Sequence, residues 1–127
     1  MSGTLYIVST PIGNLTDISL RALEVLKNSD YILAESSART SKLLNEYTIK
    51  KKIITFNKDN EKRKRLSVIK DIEKGLKVAL VSDAGTPVIS DPGFELIKNL
   101  GSASAIVPVP GASSLTTAIS VSKIPLN

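Results

Sequence analysis

The stretch Lys77-Val78-Ala79-Leu80-Val81-Ser82, running straight into Asp83-Ala84-Gly85-Thr86-Pro87-Val88-Ile89-Ser90-Asp91-Pro92-Gly93, decides the fold of this chain. Its first half is a continuous apolar run without alternation, which predicts a strand covered on both faces. Such a strand belongs in a parallel sheet with helices above and below. Its second half interleaves glycine with proline. Glycine permits positive φ and close backbone approach, whereas proline fixes φ and removes a donor. The combination predicts a stiff loop whose amides and carbonyls point in set directions.

Working outward, Leu5-Tyr6-Ile7-Val8 has the same shape and also ends in a Pro/Gly loop. A helix is predicted from Asp17, as N-cap, to Lys27, with Ile18, Ala22, Val25 and Leu26 at helical spacing. Tyr31–Ala34 and Ile53–Phe56 read as strands, and Thr40–Tyr47 as a short helix between them. Asn60 is the predicted cap of a helix to Lys74, with Leu66, Ile69 and Ile72 on its inner face and Gly75 as its stop. A helix from Phe94 to Leu100, a strand Ala105–Val107 and a helix Ala112–Val121 complete the chain. Strands and helices alternate with no hairpin signal. The expectation is an α/β, three-layer domain: a mainly parallel sheet of about five strands with helices on both faces.

The 127 residues, 42% hydrophobic and 23% charged, suit one domain with a real core and exclude a disordered chain. There is no cysteine and no histidine. Disulfide frameworks, thiolate nucleophiles, imidazole bases and zinc sites of the usual ligands are therefore excluded, and no metal is expected. No run of about eighteen apolar residues exists, and Met1–Tyr6 lacks the form of a secretory signal. A cytoplasmic protein without membrane contact is expected.

The net charge of +5 is unevenly placed. Between Lys50 and Arg65, eight basic residues face only Asp59 and Glu61, leaving +6 there and −1 on the remainder. A basic block on a near-neutral domain predicts a polyanionic partner, with Lys58, Lys62, Arg63, Lys64 and Arg65 as its contacts.

Three loops follow strands one, four and five: Thr10–Leu15, Asp83–Gly93 and Pro108–Ser114. Ligands of open parallel sheets bind outside the carboxyl ends of the strands, so three Pro/Gly-rich loops there predict one shared cleft. Neither G-x-G-x-x-G nor G-x-x-x-x-G-K-[ST] occurs, which argues against a dinucleotide site of the usual kind and against a P-loop.

Thr4–Leu15 and Leu80–Gly93 closely resemble the small-subunit (16S) ribosomal RNA 2′-O-ribose methyltransferases that act on a cytidine, enzymes of the tetrapyrrole-methylase fold. The resemblance runs along essentially the whole chain. It implies that residues 1–127 correspond to the first, N-terminal α/β domain of a two-domain enzyme, the second being absent from this chain. It also implies S-adenosylmethionine as cofactor, 16S rRNA or the small ribosomal subunit as partner, and possible homodimerisation. By resemblance the cofactor cleft is lined by Pro11 and Gly13, by Asp83, Ala84, Gly85, Thr86 and Pro87, and by Pro110, Gly111 and Ser113. Where the family shows an acidic pair followed by Thr-Arg, this chain has Glu35-Ser36-Ser37-Ala38, with Arg39 displaced by one.

Methylation of a ribose hydroxyl needs alignment of oxygen, methyl and sulfur, and at most a modest base. Glu35, at the end of the second strand, is the carboxylate placed to serve as that catalytic group. The other readings left open are a tetrapyrrole methyltransferase of the same fold and a noncatalytic RNA-binding module.

Overall fold

The apolar runs become the strands of one sheet in the computed structural model, which describes residues 2–88 and 92–125. Strands β1 (Thr4–Val8), β2 (Tyr31–Ala34), β3 (Ile53–Thr55), β4 (Lys77–Val81) and β5 (Ala105–Val109) pair in parallel in the order β3-β2-β4-β1-β5. Helices α1 (Leu20–Asn28), α2 (Ser37–Glu46), α3 (Glu61–Glu73), α4 (Phe94–Asn99) and α5 (Ser114–Val121) follow the strands.

The strand order explains the layers. From β1 the chain steps to β2 and β3 through α1 and α2, moving one way along the sheet. From β3 it steps back to β4 and on to β5 through α3 and α4, moving the other way. Right-handed crossovers in opposite directions put their helices on opposite faces. Two cores result. Leu5, Leu33 and Leu80 pack with Val68, Ile69 and Ile72 of α3 and Leu96 of α4. Ile32, Ala34, Ala79 and Val81 pack with Ala22 and Leu26 of α1 and Leu44 of α2. β1 and β4 are neighbours whose connections leave over different faces, which places the sheet's ligand crevice outside their carboxyl ends.

The α/β class, the parallel sheet and its five strands agree with the sequence, while several element ends do not. Asp17 does not cap α1. It closes a short 3₁₀ helix, Leu15–Asp17, held by Asn14, whose Oδ1 accepts Thr16 N–H at 3.0 Å. Ser19 is the cap instead, its Oγ accepting Ala22 N–H at 3.0 Å. Ser36 caps α2, so that helix begins at Ser37 rather than Thr40. Asn60 stands at the cap position of α3 without capping by its side chain. Its amide is used elsewhere, accepting Asn57 N–H at 2.9 Å and donating to Thr55 O at 3.1 Å. Leu66 lies outside the core at 62% exposure, beside Asn99 at the end of α4. Strand β5 runs through Pro108, which an edge strand tolerates although it lacks a donor. Helix α5 begins at Ser114 behind its cap Ser113 and buries no residue; among the described residues β5 is the edge strand on that side.

Candidate functional site

The three Pro/Gly loops are stitched together where β1, β4 and β5 end. Thr10 and Gly85 exchange backbone hydrogen bonds in both directions, each 3.0 Å. Thr86 Oγ1 donates to Ala112 O at 3.3 Å and lies 2.7 Å from Ser9 Oγ. A hydroxyl has one proton, so Ser9 is the donor to Thr86 in that arrangement. Ser82 Oγ donates to Ala84 O at 3.0 Å and sets the first turn of the β4 loop. Short hydroxyl side chains thus fix the geometry that proline and glycine permit.

Two glycines are required for this closeness. Gly85 has φ of +79°, and a Cβ there would stand 3.3 Å from Ile12 Cγ2 and 3.7 Å from Ala112 O. A Cβ on Gly111 would stand 3.0 Å from the Cβ of Ser9. Gly13 is different: it is exposed, and a Cβ there would meet nothing within 4 Å. The loop also holds Val88 at φ of +80°. A β-branched residue in that region is strained by about 1–3 kcal/mol, a cost that clusters at functional loops.

Asp83 is the unusual polar group. Its Oδ1 is buried and has no hydrogen-bond partner among the described residues. A buried acceptor without a donor costs about 1–3 kcal/mol, so a donor supplied from outside would be held firmly. Asp83 lines a cavity of about 50 Å³ with Thr10, Pro11, Arg39, Thr40 and Ser82. Pro87 and Pro92 are buried, whereas Ala84, Pro110 and Gly111 are exposed at the rim. Ile89, Ser90 and Asp91 lie outside the described residues.

Glu35 is half-buried between Ala34, the last residue of β2, and the cap Ser36. It stands at the same sheet edge, outside the residues that line the Asp83 cavity. Arg39, Thr40 and Leu43 of α2 reach that cavity instead, a contribution that one helical turn after Ser36 makes possible.

The basic block divides in space. Lys50, Lys51 and Lys52 precede the edge strand β3 and the residues Lys58–Arg65 follow it, so the two groups stand at opposite ends of that strand. Lys58, Lys62 and Arg63 are exposed. Lys64 Nζ donates to Thr55 O at 2.9 Å, and Arg65 lies 3.9 Å from Glu95. Glu61, read in the sequence only as an opposing charge, accepts Gly93 N–H on its Oε1 at 3.0 Å. It ties the start of the basic helix to the far end of the β4 loop. A lone acid at the head of a basic helix was the available signal.

With crevice, loops and charge in place, the chain can be set beside known proteins. The family model of Tetrapyrrole (Corrin/Porphyrin) Methylases matches residues 4–127. The chain belongs to the tetrapyrrole methylase family. Within it, the chain is 52% identical over 123 residues to the ribosomal RNA small subunit methyltransferase I of Buchnera aphidicola, covering 96% of this chain and 44% of that protein. The protein of the same name from Thermotoga maritima is 50% identical over 124 residues, covering 97% and 56%. This member of the family therefore spans about half the length of the curated relatives it matches. Among solved structures, uroporphyrin-III-C-methyltransferase from Thermus thermophilus superposes with a TM-score of 0.69 at 22% identity, over 100% of this chain and 55% of that one. Diphthine synthase does so with a TM-score of 0.72 at 16% identity, over 97% and 50%. At that identity the two structures establish the fold alone. Among the described residues, no helix is long and apolar enough to cross a membrane.

Proposed function

We propose that this chain is the cofactor-binding and RNA-facing half of an S-adenosylmethionine-dependent methyltransferase that modifies a ribose 2′-hydroxyl of 16S rRNA. The observation that carries the proposal is the convergence of the β1, β4 and β5 loops on one crevice. Identity near 50% to proteins named for small-subunit rRNA supports that substrate over a tetrapyrrole.

The residues fit the cofactor. The buried Oδ1 of Asp83 has no donor among the described residues, and the cofactor carries an ammonium group and ribose hydroxyls. Gly85 and Gly111 let the three loops approach closely enough to form one wall, with the amide and carbonyl of Gly85 spent on Thr10. When bound, the cofactor supplies an electrophilic methyl on a sulfonium, so the protein need not build a strong nucleophile. Thr86, Ser9 and Ser82 hold the loops; Pro11, Pro87 and Pro110 stiffen them. Glu35 takes up the proton that the ribose hydroxyl releases.

The remaining half of the longer relatives is proposed to cover the β5–α5 side. That side exposes Ile106 at 40%, Leu115 at 61% and Val121 at 76%, an apolar surface unusual for a free face. The second half would also close the crevice, excluding water from the reacting atoms.

The test is methyl transfer from isotopically labelled S-adenosylmethionine to small ribosomal subunits that lack the modification. The chain is joined to the second half of the Thermotoga maritima relative, and the RNA is digested to nucleosides for mass spectrometry. A labelled 2′-O-methylcytidine is the expected product. RNA binding without methyl transfer at saturating cofactor would leave a noncatalytic module.

A further inference from the structure

One face of α3 combines positive charge with apolar surface. Lys62, Arg65, Leu66 and Ile69 fall at positions i, i+3, i+4 and i+7, so they form a single stripe. Together with Asn99 at the end of α4 they line an open groove of about 480 Å³. Ile69 is its buried floor, and Leu66, at 62% exposure, is its wall. Lys62 is exposed at the rim, while Arg65 is steadied 3.9 Å from Glu95. Leu66 and Ile69 thus lay an apolar strip between the cations Lys62 and Arg65.

The charge selects the occupant. A second copy of this chain would bring the same basic stripe, on a protein of net charge +5, and the two would repel. A polyanion carrying flat apolar rings matches both features at once. Unpaired bases of RNA are read by stacking on apolar, aromatic or guanidinium surfaces while their phosphates meet cations.

We propose that the α3–α4 groove receives an unpaired base of a single-stranded RNA segment, with Leu66 and Ile69 against the base and Lys62 and Arg65 beside the flanking phosphates. The inference rests on the proposed rRNA substrate and adds where, and in what form, that RNA is held. The groove lies outside the crevice residues, so it positions substrate and does not take part in transfer. Duplex RNA keeps its bases stacked and can offer the groove only phosphates.

The test is fluorescence anisotropy of the 127-residue chain. The probes are a labelled single-stranded RNA of about ten nucleotides and the same sequence as a blunt duplex, each titrated at several salt concentrations. Leu66→Ser should weaken single-strand binding about tenfold and change duplex binding less than about twofold. Lys62→Gln should weaken both and lower the salt slope by about one. Leu66 is exposed, so circular dichroism should show an unchanged fold. Equal effects of Leu66→Ser on both RNAs, or none on either, would overturn base docking. If Lys62→Gln still weakens binding in that case, the RNA-facing role of α3 survives. If wild-type protein binds neither RNA, or if Lys62→Gln also does nothing, both fail. A dimer seen by sedimentation and abolished by Leu66→Ser would assign the groove to a second copy and overturn the proposal.

Discussion

At the scale of single residues, the loop glycine Gly85 separates folding from binding. Valine there meets a φ of +79°, at a cost of about 1–2 kcal/mol, and crowds Ile12 and Ala112 at the crevice. The joined two-half protein carrying Gly85→Val should therefore stay folded and lose about tenfold or more in cofactor affinity. Calorimetry beside thermal melting checks this; a collapse of the melt with unchanged affinity of the folded fraction would make Gly85 structural only. Tyr31 is the contrasting case, a buried residue remote from the site. Its hydroxyl donates to Asp71 Oδ2 at 2.7 Å, and burial, followed by that bond and the carboxylate charge, pushes its pKa well above the ordinary 10.0. The folded state holds the phenol neutral where the unfolded chain would ionise. The stabilising effect is thus complete below pH of about 10 and is lost as pH rises above it. Tyr31→Phe should cost about 1–2 kcal/mol in urea melts at neutral pH and should flatten the fall in stability above pH of about 10. Sequence marked Asp83 and Gly85 because a Pro/Gly loop is visible as composition. It did not mark the Tyr31–Asp71 pair, whose members are 40 residues apart and meet only through packing of α3 on β2.

At the scale of elements, the caps show what local pattern can resolve. Asp17, taken from the sequence as the cap of α1, and Ser19, which caps it, are both chemically competent. The choice falls to Ser19 because Asn14 has already drawn Thr16 and Asp17 into a 3₁₀ turn. Ser19→Ala should cost about 1 kcal/mol and Asp17→Ala less than about 0.5, measured by urea unfolding. Equal costs would contradict this assignment of the α1 start. Leu66 was legible as part of a helix and illegible as a surface residue. Periodicity reports the helix face but not which of its residues a later element will cover, and Leu66 stays 62% exposed beside Asn99 of α4. Element α5 shows the same limit, since its apolar residues imply burial that nothing among the described residues supplies. The basic block is a third case. Contiguous in sequence, it is cut by β3, and Lys64 is bonded to a carbonyl. Of the quadruple replacement of Lys62, Arg63, Lys64 and Arg65 by Gln, most of the lost salt dependence should therefore be reproduced by the triple replacement that leaves Lys64 in place. Filter binding to small subunits across salt concentrations distinguishes them, and an unchanged slope in the quadruple variant would reduce the block to a solvated face.

At the scale of the molecule, the parallel sheet was legible because apolar runs without alternation have few other uses, and because strand and helix alternate without hairpins. The strand order was not, as no residue announces which neighbour a strand will choose. Yet that order makes the site: β1 and β4 lie side by side, their chains depart over opposite faces, and their loops meet at the Thr10–Gly85 bridge to wall the crevice. The central claim is that these loops form one wall of an S-adenosylmethionine cleft whose other wall belongs to the second half of the longer relatives. The most direct measurement is calorimetric titration of S-adenosylmethionine into three proteins: the 127-residue chain, the chain joined to the second half of the Thermotoga maritima relative, and the joined protein with Gly85→Val. The expected result is weak or absent heat from the chain alone, binding near micromolar Kd in the joined protein, and loss of that binding in the variant. Micromolar binding by the chain alone would show that no second wall is needed, and undiminished binding by the Gly85→Val protein would contradict the placement of the cleft at these loops.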